Sequence, residues 1–357
     1  MPPAYKIAAA ARSVGSASRA RILIVDDSAV ARAVIGKCVE ANPRFCVAGA
    51  VADAHAALAF LVANRVDIIL LDIEMPGIDG LTALPDLLLA GQGARVIVVS
   101  STCAEGAAGT IHALSLGAAD TLVKPGVGGL LGKFGDILDE KLSRLLDGED
   151  HPSMLPAPAP ALAPAGEFDL VAIGASTGGI HALSQLLRAI PASFRVPVLI
   201  AQHLPPSFMP YFAAQVSVLA GRPCDVASER MTIQPGRIII APGEAHLRCV
   251  RTGDQLSVKL TTEKSASGCM PSVDPMFETV AEACGSRALG IVLSGMGRDG
   301  LIGAQQLVDA GAAVVAQDRA SSVVWGMPGV VAKAGIAQAV LSPEDIGKLV
   351  ASQRRPA

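Results

Sequence analysis

Aromatic side chains are scarce, 3% of the chain against an apolar fraction of 51%. The cores must therefore be built from Ala, Val, Ile and Leu, and abundant Gly between short apolar runs suits an α/β protein. No apolar run reaches the roughly 18 residues a membrane-spanning helix needs, which excludes insertion by that route. No Lys/Arg cluster falls on a predicted helix and the net charge is −3, so nucleic acid, whose phosphates demand a basic face, is not an expected partner. The seven cysteines are scattered and odd in number, with no C-x-x-C. Neither a disulfide framework nor a zinc site is expected from them, and a reducing cytoplasm fits.

At 357 residues the chain has room for about two domains of ordinary size. Residues 1–20 are rich in Ala, Ser and Arg without an acid, loosely like an organellar transit peptide. A disordered extension is the plainer expectation there. Pro and Ala dominate the middle of DGEDHPSMLPAPAPALAPAGEFD, which predicts an extended linker over 147–167. It divides a unit at 21–146 from a second at 168–357.

In the first unit RILIV (21–25), FCVAGAV (45–51), VDIILL (66–71), RVIVVS (95–100) and DTLVK (120–124) read as strands separated by amphipathic helices. Continuous apolar strands joined by helices imply a parallel sheet covered on both faces. The second unit repeats the pattern at 170–174, 196–202, 237–242, 288–294 and 312–317. HLRCVRTGDQLSVKL (246–260) differs: two alternating runs meet at TGD, a β-hairpin. The expected fold is α/β with two doubly wound parallel sheets, the second larger, Rossmann-like and bearing an antiparallel addition. Such sheets place their sites outside the carboxyl ends of the strands.

In the first unit those ends carry Asp26 and Asp27, Asp72, Ser100, and Lys124 before a proline. Three converging carboxylates repel one another unless a cation sits among them, and a hard ion such as Mg²⁺ suits oxygen donors. Asp72 is then the candidate phosphoryl acceptor, with Ser100 and Lys124 holding its oxygens. Singly, each Asp could be only a helix cap; five polar groups at one edge argue otherwise. VDDS, LDIEMPGIDG, the serine after the fourth strand and KP resemble the receiver domain of two-component response regulators over about 20–145. The resemblance implies a five-stranded flavodoxin-like fold and phosphorylation of Asp72 by a histidine kinase. It also implies Mg²⁺ held by Asp26, Asp27, Asp72 and the backbone carbonyl of Glu74. Thr121 stands where receivers often carry an aromatic, which argues against an aromatic rotamer switch.

In the second unit VAIGASTGGIHAL places Ser176 in a G-x-S-x-G between a strand and a helix. Three readings compete: a nucleophile on a tight turn, a phosphate-binding turn, or a simple N-cap. The spacing fits neither G-x-G-x-x-G nor a P-loop. A nucleophilic serine needs a base and an orienting acid. Of six histidines, His203 directly follows VPVLIAQ at a strand end, His181 lies further down the helix, and His246 opens the hairpin. For the acid, Asp299 in LSGMGRDG and Asp318 in AQDRAS compete, and the glycine-rich loop favours Asp299.

AIGASTGG, LIAQHLPPSF, IIIAPGEAHL, PSVDPMF, LSGMGRDG and SSVVWGMPG, in that order over about 168–350, resemble the catalytic domain of chemotaxis protein-glutamate methylesterases, the CheB family. The resemblance implies a Ser176–His203–Asp299 triad, with Thr177, Met296 and Gly297 lining the active site and loop backbone forming the oxyanion hole. It implies demethylation of glutamate methyl esters, and deamidation of glutamines, on chemoreceptors. Ile180–His181 and Cys269–Met270 depart from the family pattern. The rival reading is a receiver-regulated, non-catalytic phosphate- or nucleotide-binding module.

Overall fold

A computed structural model describes residues 19–100, 104–124, 131–147 and 167–352. The extension expected before residue 20 and the linker expected over 147–167 fall almost wholly outside them.

The first unit alternates β1 (Ala20–Val25), α1 (Ala29–Glu40), β2 (Phe45–Val51), α2 (Ala54–Ala63), β3 (Ile68–Asp72), α3 (Gly80–Ala90), β4 (Arg95–Ser100), α4 (Ala104–Leu116), β5 (Asp120–Val123) and α5 (Leu131–Asp147). The strands form one parallel sheet in the order β2-β1-β3-β4-β5. The central strand β3, IILLD, is buried throughout, as a strand covered on both faces by helices must be. Ser28, Asp53 and Asp79 cap α1, α2 and α3, each side chain accepting a backbone N–H of the first turn. Register sets the edge. Val25 pairs with Leu71, so Asp26 and Asp72 leave the sheet side by side. Ser100 pairs with Val123, which brings Lys124 alongside.

The second unit runs β6 (Leu170–Ala175), α6 (Gly179–Arg188), β7 (Val198–Gln202), α7 (Met209–Ala220), β8 (Cys224–Val226), β9 (Ile238–Ile240), β10 (His246–Thr252), β11 (Gln255–Thr261), α8 (Val273–Cys284), β12 (Ala288–Val292), α9 (Leu301–Asp309), β13 (Ala313–Gln317), α10 (Met327–Lys333), β14 (Ala339–Leu341) and α11 (Pro343–Ala351). Its seven-stranded sheet has the order β14-β13-β12-β6-β7-β9-β8, parallel throughout. The sequence predicts five of these strands. The two it misses, β8 and β14, are three-residue edge strands, too short to carry a periodic signature. The hairpin β10–β11 is a sheet of its own and packs on α8, rather than extending the main sheet. β6 and β12 are buried along their whole length.

Ile173 sits in the middle of β6, fully buried, between β7 and β12. Ile173→Ala removes buried methyl groups and leaves a cavity, and should cost about 2–5 kcal/mol. Denaturant unfolding should show a lower midpoint at an unchanged slope.

Candidate active site

The two neighbours of β6 bring the chemistry together. Ala175 pairs with Gln202, and the His203 N–H donates to the Ala175 carbonyl at 3.1 Å. On the other side Val292 pairs with Gly174, and the Ser176 N–H donates to the Ser294 carbonyl at 3.0 Å. Ser176, His203 and the LSGMGRDG loop thus leave one edge of the sheet. Ser176 Oγ lies 3.0 Å from His203 Nδ1, and His203 Nε2 lies 2.8 Å from Asp299 Oδ2. Asp299 is 1% exposed and also accepts from Ser272 Oγ at 2.6 Å and from the Val273 N–H at 2.7 Å. Asp318, the other candidate acid, is engaged by the Ser321 N–H and hydroxyl, each at 2.8 Å.

Ser176 does not cap α6. The N-cap is Gly178, in the left-handed region at φ 75°, which only glycine adopts cheaply. Across the cleft Gly295 leaves room for the serine, since a Cβ there would stand 2.8 Å from Ser176 Cβ. The turn is therefore built around the serine.

The hydrogen bonds fix the imidazole. A proton on Nε2 is donated to Asp299, which leaves the Nδ1 lone pair facing the Ser176 hydroxyl. Burial works to lower the His203 pKa, but the hydrogen bond to Asp299 and the nearby Cys269 outweigh it and bring it from 6.5 to about 9. Burial likewise pushes Asp299 up, yet the bonds from His203, Ser272 and Val273 hold its carboxyl at about 2. Cys269 is the site residue that sequence reasoning passed over. Its Sγ lies within 4.8 Å of ring and carboxylate atoms of His203 and Asp299, and the neighbouring imidazole draws the thiol below its ordinary value. The only trace in the sequence is the departure from the family pattern before PSVD.

A cavity of about 280 Å³ opens over the serine and is shared by both units, lined by Asp120, Thr121, Lys141, Ser176, Thr177, His203 and Cys269 among others. Thr177 Oγ1 lies 3.5 Å from Asp120 Oδ2. Met296 and Gly297, expected at the active site, line a separate hollow beside Trp325. A bridge pairs Gly295 with Trp325.

In the first unit Lys124 Nζ lies 2.5 Å from Asp72 Oδ2 and 3.1 Å from Asp26 Oδ2. Burial raises the Asp72 carboxyl above the ordinary range even against the Lys124 bond, and Asp26 adds to the rise. Asp26, Asp27 and Asp72 each offer an oxygen, all within 4.8 Å of one another. Asp26 Oδ2 is buried and faces the Lys124 ammonium. The Glu74 N–H donates to Asp72 Oδ1 at 3.1 Å. The buried Ser100 hydroxyl accepts from Thr110 Oγ1 of α4 at 2.8 Å, a link that sequence reasoning did not find.

The two units meet through α4 and β5. The Gly178 N–H donates to the Ala119 carbonyl at 3.0 Å, two residues from the serine. Ser184 Oγ donates to the Ser115 carbonyl, with His181 Nδ1 on the same oxygen, both at 3.2 Å. Among the described residues no helix is long and apolar enough to cross a membrane.

An imidazolium cannot take a proton from serine, so Ser176 should be activated only as His203 deprotonates. Labelling of Ser176 by a fluorophosphonate should therefore accelerate with rising pH, its midpoint well above 6.5 and toward about 9. Cys269→Ala removes a neighbour that raises the imidazole and should move the midpoint down. A midpoint at or below 6.5 in the unmodified protein would show that Asp299 and Cys269 do not hold the proton on His203.

Comparisons with known proteins bear on both units. The family model CheB methylesterase matches residues 171–350, and the response regulator receiver domain matches 22–131. The chain is 42% identical over 345 residues to protein-glutamate methylesterase/protein-glutamine glutaminase 2 of Caulobacter vibrioides, covering 94% of this chain and 99% of that one. It is 37% identical over 378 residues to protein-glutamate methylesterase/protein-glutamine glutaminase of Maricaulis maris, covering 92% and 94%. The solved CheB methylesterase catalytic domain of Thermotoga maritima is 30% identical with a TM-score of 0.51, covering 52% of this chain and 99% of that domain. A model matching half of the chain, and relatives aligned along nearly all of it, lead to one conclusion: the chain belongs to the CheB methylesterase family.

Proposed function

We infer that the chain hydrolyses glutamate methyl esters, and deamidates glutamines, on protein substrates under the control of its receiver. The observation that carries the reading is the unbroken run of hydrogen bonds Ser176–His203–Asp299 at one sheet edge. A phosphate- or nucleotide-binding turn needs neither the histidine nor the buried acid.

The chemistry follows from the geometry. Neutral His203 takes the Ser176 proton on Nδ1 as Oγ attacks the ester carbonyl. Asp299 keeps the ring in the required tautomer and stabilises the imidazolium. Backbone N–H groups of the loops bearing Ser176 and Met296 are the donors for the oxyanion, worth a few kcal/mol. His203 returns the proton to the departing methoxide and methanol leaves. Water then attacks the acyl-enzyme with His203 again as base, and glutamate is restored. A glutamine amide follows the same course with ammonia as leaving group. The substrates we assign are chemoreceptor signalling helices in the cytoplasm.

For control, the phosphoryl acceptor we assign is Asp72, served by a chemotaxis histidine kinase. Asp26, Asp27, Asp72 and the Glu74 carbonyl would hold Mg²⁺. The all-oxygen donor set of Asp26, Asp27 and Asp72 fits such an ion. Mg²⁺ supplies positive charge beside the incoming phosphoryl oxygens. A phosphoryl group on Asp72 competes for Lys124 and for the Ser100 hydroxyl, which is tied to α4 through Thr110. α4 and the residues after it carry Ser115 and Ala119, which hold α6 beside the serine. Phosphorylation thereby biases the receiver toward a form that docks less well.

Methanol release from methyl-labelled receptor membranes tests the reading. Release should rise with acetyl phosphate and Mg²⁺ and fall by roughly 10⁴-fold or more in Ser176→Ala. Release undiminished in that variant would restore the binding-module reading. Asp72→Asn should keep the basal rate and lose the activation. His181→Ala removes a docking bond worth about 1 kcal/mol, so the unphosphorylated rate should rise roughly fivefold. An unchanged or lower rate would mean that this contact does not hold the receiver in place.

A further inference from the structure

Among the described residues two groups of side chains bring ligand atoms together, and they differ in chemistry. Asp26, Asp27 and Asp72 offer oxygen alone. His203, Cys269 and Asp299 offer an imidazole nitrogen, a thiol sulfur and a carboxylate oxygen, again within 4.8 Å of one another. A mixed nitrogen, sulfur and oxygen set excludes Mg²⁺ by preference and suits zinc. Zinc bonds of about 2.0–2.3 Å bridge such separations with small side-chain rotations. Three protein ligands around a cavity leave a fourth position for water, as in sites that are open rather than structural. Cys269 and His203 both line the cavity over Ser176, so an ion has a path in. No spacing in the sequence signals this set, because the three residues come from three separate loops.

We propose that His203, Cys269 and Asp299 form an inhibitory zinc site built into the catalytic centre. Binding converts the Cys269 thiol to a zinc-bound thiolate and needs a neutral imidazole, so it releases the thiol proton and, where His203 is protonated, a second proton from the ring. Whichever ring nitrogen carries the metal, the general base is lost. Zinc on Nδ1 occupies the lone pair that faces Ser176. Zinc on Nε2 displaces the proton shared with Asp299 and forces the ring proton onto Nδ1, which then donates to Ser176 instead of accepting from it. Zinc thus switches the esterase off without touching the receiver. The inhibitory consequence rests on Ser176 and His203 acting as nucleophile and base; the binding does not.

Two readouts on the full-length protein keep those claims apart. Co²⁺ replaces Zn²⁺ as a spectroscopic probe, and bound at this site it should show thiolate-to-cobalt charge-transfer absorption. The band should saturate at one equivalent, be displaced by Zn²⁺, and vanish in Cys269→Ala and Cys269→Ser. Methanol release should be inhibited by Zn²⁺ and recover with a chelator. Losing even an outer partner of a metal ligand costs roughly 10- to 100-fold in affinity, so either variant should need about 100-fold more zinc for half inhibition. A band that persists in both variants, or inhibition at the same zinc concentration in all three proteins, overturns the site. If metal-free protein releases no methanol while the band behaves as described, the esterase reading fails and the zinc site stands.

Discussion

Everything in the catalytic half depends on the pairing of β6 with β7 on one side and β12 on the other. The Ala175–Gln202 pair and the Gly174–Val292 pair fix where three loops leave the sheet. A slip of one residue along β7 would turn the whole strand over and send His203 to the wrong side. The triad is therefore a property of strand register first and of side chains second. The same logic governs the receiver, where the Val25–Leu71 pair delivers Asp26 and Asp72 together.

Register also explains the electrostatics. Asp299 is buried and would be costly as an anion without partners. Ser272 Oγ and the Val273 and Asp274 N–H groups supply them at the start of α8, and His203 adds another. His203 and these donors together keep the buried carboxylate charged, which is what an orienting acid requires. Its charge in turn fixes the tautomer, and the tautomer decides which ring nitrogen meets the serine.

Much of this was legible in the sequence because the chemistry sits at strand ends, and strand ends can be read. The long buried strands β1, β3, β6 and β12 announce themselves as continuous apolar runs, so Asp72 and Ser176 can be placed. Choosing Asp299 over Asp318 rested on glycines around the former, and the fold puts Asp299 on His203. The three-residue strands β8 and β14 were invisible because their pairing is imposed by neighbours, not by local pattern. Cys269 was seen only as an oddity, since its approach to His203 depends on the path of a loop. Met296 and Gly297, which the resemblance sets at the active site, line the hollow beside Trp325, and the preceding Gly295 packs against Ser176. Loop placement is a tertiary outcome, and nothing local encodes it.

The Gly178–Ala119 hydrogen bond, two residues from the serine, joins parts of one chain rather than two molecules. Covalent connection gives the receiver an effective concentration on the order of millimolar at the catalytic face. A weak docking surface is then sufficient to keep the cleft covered, and dilution does not relieve it. Each 1.4 kcal/mol that phosphorylation removes changes the covered-to-open ratio by about tenfold. On the proposed docking, the covered-to-open ratio does not depend on how many copies of the protein are present.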